Sequence, residues 1–387
     1  MISNLQTQRE KIYSALCWTL SERIDQVDWE SFSEDDWSRF GNMAITEGVA
    51  PLIHWTFKHE DTFGIEIPTT VKAQLMAAYY NTTAQNQVMF KELERILEAL
   101  EKAGIPVIVL KGAALATTVY PEIGLRPMGD LDLLVPKDKI NKANQCLTDL
   151  GYSEARIPLS KKLNRKIGHH IELIGGPNDS VMVELHWSLI AGDADIRTAP
   201  MDWFWEQTKS WEEYETALFL NPTANLLYLS AHLMLQHREA QAKLSWLNDF
   251  HLLICQYHKT ISWQELAQRS YEFNWAGALQ LSLQESLRYF KSPVPQSVFE
   301  YLSNHQDPQI AHLIHLKSTI DQTSVDRNIA RIMGLRWPTR LQYVIIKLFP
   351  SPAFMKWYYE PNPKWLWPLY YFYRWMRLIQ VVAKSLI

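Results

Sequence analysis

Cysteine is scarce in this chain. The three present, Cys17, Cys146 and Cys255, stand far apart with no CxxC spacing. That pattern excludes a disulfide framework or a zinc knuckle and suits a reducing compartment, so a cytoplasmic location is expected. A basic excess is missing too. Lys+Arg number 38 against 42 Asp+Glu, a net charge of −4, so there is no whole-chain footprint for nucleic acid, which is not expected as a partner. No window reaches the roughly 18 uninterrupted apolar residues of a spanning helix. The opening "MISNLQTQREKIYSALCW" lacks the basic-then-apolar order of a signal peptide. Internal repeats and low-complexity tracts are absent as well.

What is present is a chain of 387 residues, 47% of them hydrophobic, enough for a sizeable core; at about 150 residues per domain, two or three units follow. Sixteen Trp and 17 Tyr are many. They crowd the stretch "WYYEPNPKWLWPLYYFYRWMRLIQVV", which also carries Lys364, Arg374 and Arg377. Aromatics with arginines suit headgroup depth, so peripheral membrane contact by an interfacial helix is one expectation; packing on the core is the other.

The pattern divides the chain into helices, a small α+β unit, then helices again. Residues 1–68 read as an N-terminal helical region, with Ser31 or Ser33 as a cap and breaks at Gly64 and Pro68. Residues 69–205 begin with a long helix from Val71 to Lys102, in which Leu93, Ile96, Leu97 and Leu100 mark one face and Gly104 marks the stop. "IPVIVLKG" (105–112) and "DLDLLVP" (130–136) read as short buried strands, with a short helix after Gly112. "KDKINKANQCLTDLGY" is an amphipathic helix, and "HHIELIGGPNDSVMVELHW" a hairpin. Residues 206–387 read as a C-terminal helical region with an aromatic-rich end.

Chemistry concentrates in "GLRPMGDLDLLV". Side chains alternate along a strand, so Asp130 and Asp132 share one face and Leu131 and Leu133 the other. Two carboxylates about 7 Å apart at the backbone raise each other's pKa unless a cation joins them, and Mg²⁺ favours a few carboxylates with substrate phosphates. A strand with one solvated face would also account for the pair. Three features favour the cation. Gly112 sits at a strand-to-helix turn where N–H groups and close approach suit a phosphate. Lys111 and Arg126 can meet triphosphate charge. Glu184 is a lone acid in an apolar strand, costly unless paired or metal-bound, and is preferred to Glu172 as third carboxylate. The three acids are expected to converge at the edge of a short mixed sheet.

The strand–Gly–helix turn, the "DLD" strand and the later acid resemble the DNA polymerase β-like nucleotidyltransferase superfamily. The run 96–152 in particular is similar to a bacterial branch of uncharacterised nucleotidyltransferases, with "VELHWSL" and "KLSWLNDFHLL" as later landmarks. The resemblance spans residues 45–260. It implies an α+β fold with a mixed-sheet, palm-like core, and a transferase that moves a nucleoside monophosphate from an NTP, most plausibly ATP. Asp130, Asp132 and Glu184 would ligate two Mg²⁺ ions, with Mn²⁺ as an alternative. Gly112 and Ala113 would form the phosphate-facing turn, with Lys111 and Arg126 stabilising charge. Gly112-Ala113 stands where the superfamily usually has Gly-Gly or Gly-Ser, so a serine hydroxyl contact is lost. The acceptor would be a hydroxyl on a small molecule, glycan or peptide, and a non-catalytic nucleotide-binding module is the competing reading.

His186 lies two residues from Glu184 and shares its face; it would orient the acceptor, act as a base, or serve structure beside Trp187. His170 stands in the same relation to Glu172. His232, His237 and Asp249 read as a structural polar network under the site. Asp132→Asn is expected to fold as well as or better than the parent, through relief of repulsion.

Overall fold

The computed structural model describes residues 2–59, 65–191, 199–212, 214–237, 243–304, 332, 335 and 337–385. Three helices open the chain: α1 (Ile2–Leu20), α2 (Glu34–Thr46) and α3 (Ala50–His59). Ser33 caps α2, and Asp36 returns the bond to complete a capping box. Gly64 lies outside the described residues. Pro68 precedes α4 (Thr69–Lys102), which ends at Ala103 with Gly104 at φ +64°, a conformation that glycine adopts without a Cβ penalty.

β1 (Val107–Val109) runs directly into α5 (Lys111–Thr118); β2 (Leu131–Leu134) and α6 (Ile140–Asp149) follow. Next come β3 (Ser153–Glu154), α7 (Lys161–Ile167) and the hairpin β4 (His170–Gly175) and β5 (Val181–His186). After α8 (Met201–Glu206), the strands β6 (Thr208–Trp211) and β7 (Tyr214–Leu220) join the same sheet. The expectation of helix alone after residue 205 is corrected here. "SWEEYETALFL" has a central acidic pair that breaks its alternation, yet β7 pairs parallel with β1, setting Ile108 beside Leu218.

The mixed sheet has seven strands in the order β3-β4-β5-β2-β1-β7-β6. β2 therefore lies in the middle, antiparallel to β1 and parallel to β5. The expected edge location of the acidic strand is also corrected. A hairpin and a late-arriving pair of strands extend the sheet on both sides, which a reading of local runs does not reveal.

The pleat divides the core. Leu131, Leu133, Val183 and Leu185 face α4 and α6, packing with Leu93, Ile96, Leu97 and Leu147. Ile108 and Leu134 turn the other way, toward α9 (Pro222–Ala231) and α10 (Leu244–Tyr257). Further helices, α11 (Trp263–Glu272), α12 (Ala276–Phe290) and α13 (Gln296–Asn304), build on that layer. Beyond them, helices at Trp337–Leu348, Pro352–Tyr359 and Tyr370–Ser385 carry the aromatic-rich end, with Trp337, Trp365, Phe372 and Ile379 exposed. Among the described residues no helix is long and apolar enough to cross a membrane.

One buried group in this helical layer makes stability depend on pH. His251 of α10 stacks on Phe290 at 4.9 Å, with Nδ1 2.8 Å from the Ser292 hydroxyl. Burial, then the charge of Arg23, pushes its pKa down from 6.5 to about 4. Between those values the unfolded chain binds more protons than the folded one. The His251 contribution is therefore complete above the unfolded pKa and is lost as pH falls toward the folded one, by roughly 3 kcal/mol in all. Urea midpoints taken across that window should fall less steeply in His251→Gln than in the parent; parallel curves would show that His251 titrates normally.

Candidate active site

The site grows from two adjacent central strands. β2 and β5 run parallel with Asp132 beside Glu184 and Leu134 beside His186, so the carboxylates stand next to each other on one face. β4 continues the row with Glu172 beside Glu184 and His170 beside His186. A ladder bond from the Leu110 N–H to the Asp132 carbonyl (2.9 Å) holds the end of β1 against β2. The next residue, Lys111, takes φ +42°, an uncommon left-handed conformation for a side chain of this size, and opens α5.

Lys111 stands among these carboxylates. Its Nζ is 2.6 Å from Asp132 Oδ1 and 3.8 Å from Glu184 Oε2. His186 Nε2 lies 2.9 Å from the same Asp132 oxygen and 3.2 Å from Glu184 Oε2. Asp132 and His186 are only 2% and 1% exposed, so these contacts operate in a poorly solvated setting. Burial opposes the lysine charge, but Asp132 and Glu184 hold its pKa above the usual range. Burial likewise opposes ionisation of Asp132 and Glu184, yet Lys111 and His186 keep both carboxyls low. The same two acids raise His186 against the effect of its burial. Tyr228 of α9 is fully buried, and that burial pushes its hydroxyl pKa up against the nearby charge of Lys111.

Asp130 is different. It sits just before β2, and burial first, then the charge of Asp132, pushes its pKa up to about 6. Asp132, Glu184 and His186 bring one ligand atom each within 4.8 Å of one another; Asp130 flanks that tight group.

The remaining expected residues take other places. Arg126 is buried and committed to Asp249 of α10: Nε reaches both carboxylate oxygens at 2.9 and 3.0 Å, and Nη2 reaches one at 2.7 Å. The Tyr120 hydroxyl donates to the same carboxylate at 2.7 Å, and Asn86 of α4 donates to the Arg126 carbonyl at 2.8 Å. The Arg126 charge is thus satisfied inside the protein, by an acid from a distant helix that local spacing cannot identify. Asp249 thus bonds an arginine and a tyrosine. His232 begins a π-helical turn, His232–His237.

Gly112 and Ala113 are buried in the first turn of α5. A Cβ at Gly112 would come within 2.7 Å of Arg126 Nη1 and 3.1 Å of Met128 Cγ. The close approach that this glycine permits is to those two side chains. Gly112→Ala should lower stability by about 1–3 kcal/mol, since Arg126 is gripped by Asp249 and cannot swing aside freely. An unchanged melting temperature would show that it can.

Asp132 is also not the isolated, repelled carboxylate of the sequence reading. Lys111 and His186 compensate it, so the expectation that Asp132→Asn folds as well or better is withdrawn. Beside the acidic row, a cleft of about 360 Å³ is lined by Arg156, Lys161, Arg165, His169, His170 and Glu172 among others. Sequence patterning did not indicate it, because its basic residues come from a loop and α7, neither of which has a strong period.

Residues 33–290 match the family described as "Uncharacterised nucleotidyltransferase". No curated protein matches the chain. Among solved structures, it is similar to the solution structure of the antibiotic-resistance factor ANT(2'')-Ia, with 11% identity and a TM-score of 0.35 over 53% of this chain and 99% of that one.

Proposed function

The chain belongs to the uncharacterised nucleotidyltransferase family, and we propose that it moves a nucleoside monophosphate from an NTP, ATP in the first instance, to a hydroxyl acceptor. The observation that carries this is the side-by-side placement of Asp132 and Glu184 on the two central strands, with Asp130 two residues upstream. Carboxylate oxygens are the donors that hard divalent cations take. Burial, then the charge of Asp132, raises the Asp130 pKa, and a bound cation would favour its ionised form, so the donor set fits Mg²⁺ or Mn²⁺. Asp130, Asp132 and Glu184 would hold a pair of such ions. When bound, they would supply Lewis-acid stabilisation of phosphoryl charge.

The chain's own residues have separable tasks. Lys111 keeps Asp132 and Glu184 ionised, and its ammonium can turn toward triphosphate oxygens once another cation shares those carboxylates. His186 fixes the Asp132 carboxylate through Nε2 and thereby its orientation. The cleft lined by Arg156, Lys161 and Arg165 is where the acceptor, a small molecule, glycan or peptide, would lie.

The test is incubation of the full chain with Mg²⁺ and α-labelled NTPs against an acceptor panel. Label should move to an acceptor only with a divalent cation present, and chelation should stop it. Binding of Mg-ATP without transfer to any acceptor would favour a non-catalytic nucleotide-binding module. Neither binding nor transfer would reject both.

A further inference from the structure

We propose that His169, His170 and His186 form a second cation site, for a zinc-class transition-metal ion, next to the carboxylates and chemically distinct from them. One nitrogen from each ring lies within 4.8 Å of the others. His170 Nδ1 is 2.8 Å from His169 Nε2, and the His186 ring centroid is 5.4 and 5.1 Å from those of His169 and His170. A tetrahedral ion with Zn–N bonds of about 2.0–2.1 Å needs donors roughly 3.3–3.4 Å apart. On binding, the close pair would open slightly and the third ring would move in.

The second observation is an orphan. His186 is 1% exposed, and its Nδ1 is buried without a hydrogen-bond partner. An unpaired buried nitrogen is costly, and a metal ion would satisfy it. Its other nitrogen, Nε2, meets Asp132 at 2.9 Å. His170 has the same polarity: Nδ1 faces His169, while Nε2 is 3.6 Å from Glu172 and 3.8 Å from Glu184. This is how metal-bound histidines are commonly held, one nitrogen on the ion and the other on a carboxylate that fixes tautomer and ring.

The backbone supports the arrangement. The His169 carbonyl accepts from the Trp187 N–H at 2.9 Å, which ties the residue before β4 to the end of β5. Ligand type separates the two sites, since imidazoles select zinc, cobalt, nickel or copper over Mg²⁺. Three protein ligands leave a fourth position for water or substrate. His169 and His170 both line the cleft, so that position would face whatever binds there. The inference stands whether or not the chain transfers nucleotides.

The experiment is Zn²⁺ titration of chelator-stripped full-length protein in millimolar Mg²⁺, with Co²⁺ as a spectroscopic substitute. Wild type should bind one Zn²⁺ that Mg²⁺ does not displace, and Co²⁺ should give the intense visible bands of a tetrahedral site. His169→Ala and His170→Ala should each weaken Zn²⁺ at least tenfold, and Glu172→Gln about tenfold through His170. Asp130→Asn should keep Zn²⁺ binding. Equal Zn²⁺ affinity in both histidine variants, displacement by Mg²⁺, or a weak octahedral Co²⁺ spectrum would overturn the proposal. Should a histidine variant fail to fold, the wild-type Co²⁺ spectrum still decides.

Discussion

Asp132→Asn is expected to abolish label transfer and to lower the melting temperature at the same time. The two effects have different origins. Loss of one ionised ligand weakens cation binding and the charge stabilisation that comes with it. Each ~1.4 kcal/mol lost costs tenfold in rate, and an effect of several kcal/mol makes the expected drop about 10³-fold or more. The stability effect comes from Lys111, 2.6 Å away, and from His186, 2.9 Å away. Both are left with an amide oxygen where an ionised one stood. A hydrogen bond to a charged group is worth about 1.5–3 kcal/mol, and Glu184 still compensates in part, so the loss should lie in that range. Circular-dichroism melts without metal and a transfer assay with Mg²⁺ read the two effects separately. Transfer at the wild-type rate would sink the proposed chemistry. A higher melting temperature would show that carboxylate repulsion outweighs the Lys111 pair.

The second large effect lies behind the site. Asp249→Ala would strand the Arg126 guanidinium, 7% exposed in the folded chain, and release the Tyr120 hydroxyl. Removing one partner of a buried ion pair typically costs 3–5 kcal/mol, because the remaining charge is uncompensated. A denaturant midpoint shifted by about that much is the expected result. Replacing both partners with apolar residues, Arg126→Met with Asp249→Leu, should cost markedly less, since no charge is left buried. If the single and double variants lose the same stability, the pair acts through packing and not through charge. Arg126 enters the loop that leads to Asp130, so the single variant should also lose transfer activity even with its carboxylates intact.

How far these features were legible in the sequence depended on whether the cause was local. The α4 stripe, the β1 and β2 runs and the Gly-Gly-Pro-Asn-Asp turn of the hairpin all follow from periodicity and turn chemistry within a few residues. The family resemblance rests on the same segments. Asp130, Asp132 and Glu184 drew attention because charge on an apolar strand is costly wherever that strand lies. Long-range facts were not legible. Nothing near "SWEEYETALFL" says that its second half lies beside β1, so β6 and β7 fall in a segment whose surroundings read as helix. Nothing near Arg126 says that an acid from α10 will claim it. Nothing in one dimension says that Lys111 lies 2.6 Å from Asp132, because strand register sets that distance.

The late position of β7 bears on how the chain is made. β1 ends at Val109, but its parallel neighbour is complete only at Leu220. During synthesis, more than a hundred residues must emerge while β1 has β2 alone, with the N–H and C=O groups of its other side open. Contacts of such separation slow folding, and an open strand edge is a template for pairing with another chain. A fragment cut at residue 205, where the helical pattern first suggests a boundary, would leave that edge permanently exposed in the middle of what should be a seven-stranded sheet. Such a fragment should self-associate, whereas one extended through Leu220 closes the edge. Closing the sheet thus takes the chain through Leu220, while the sheet face at Ile108 and Leu134 and the charge of Arg126 still require α9 and α10 beyond it.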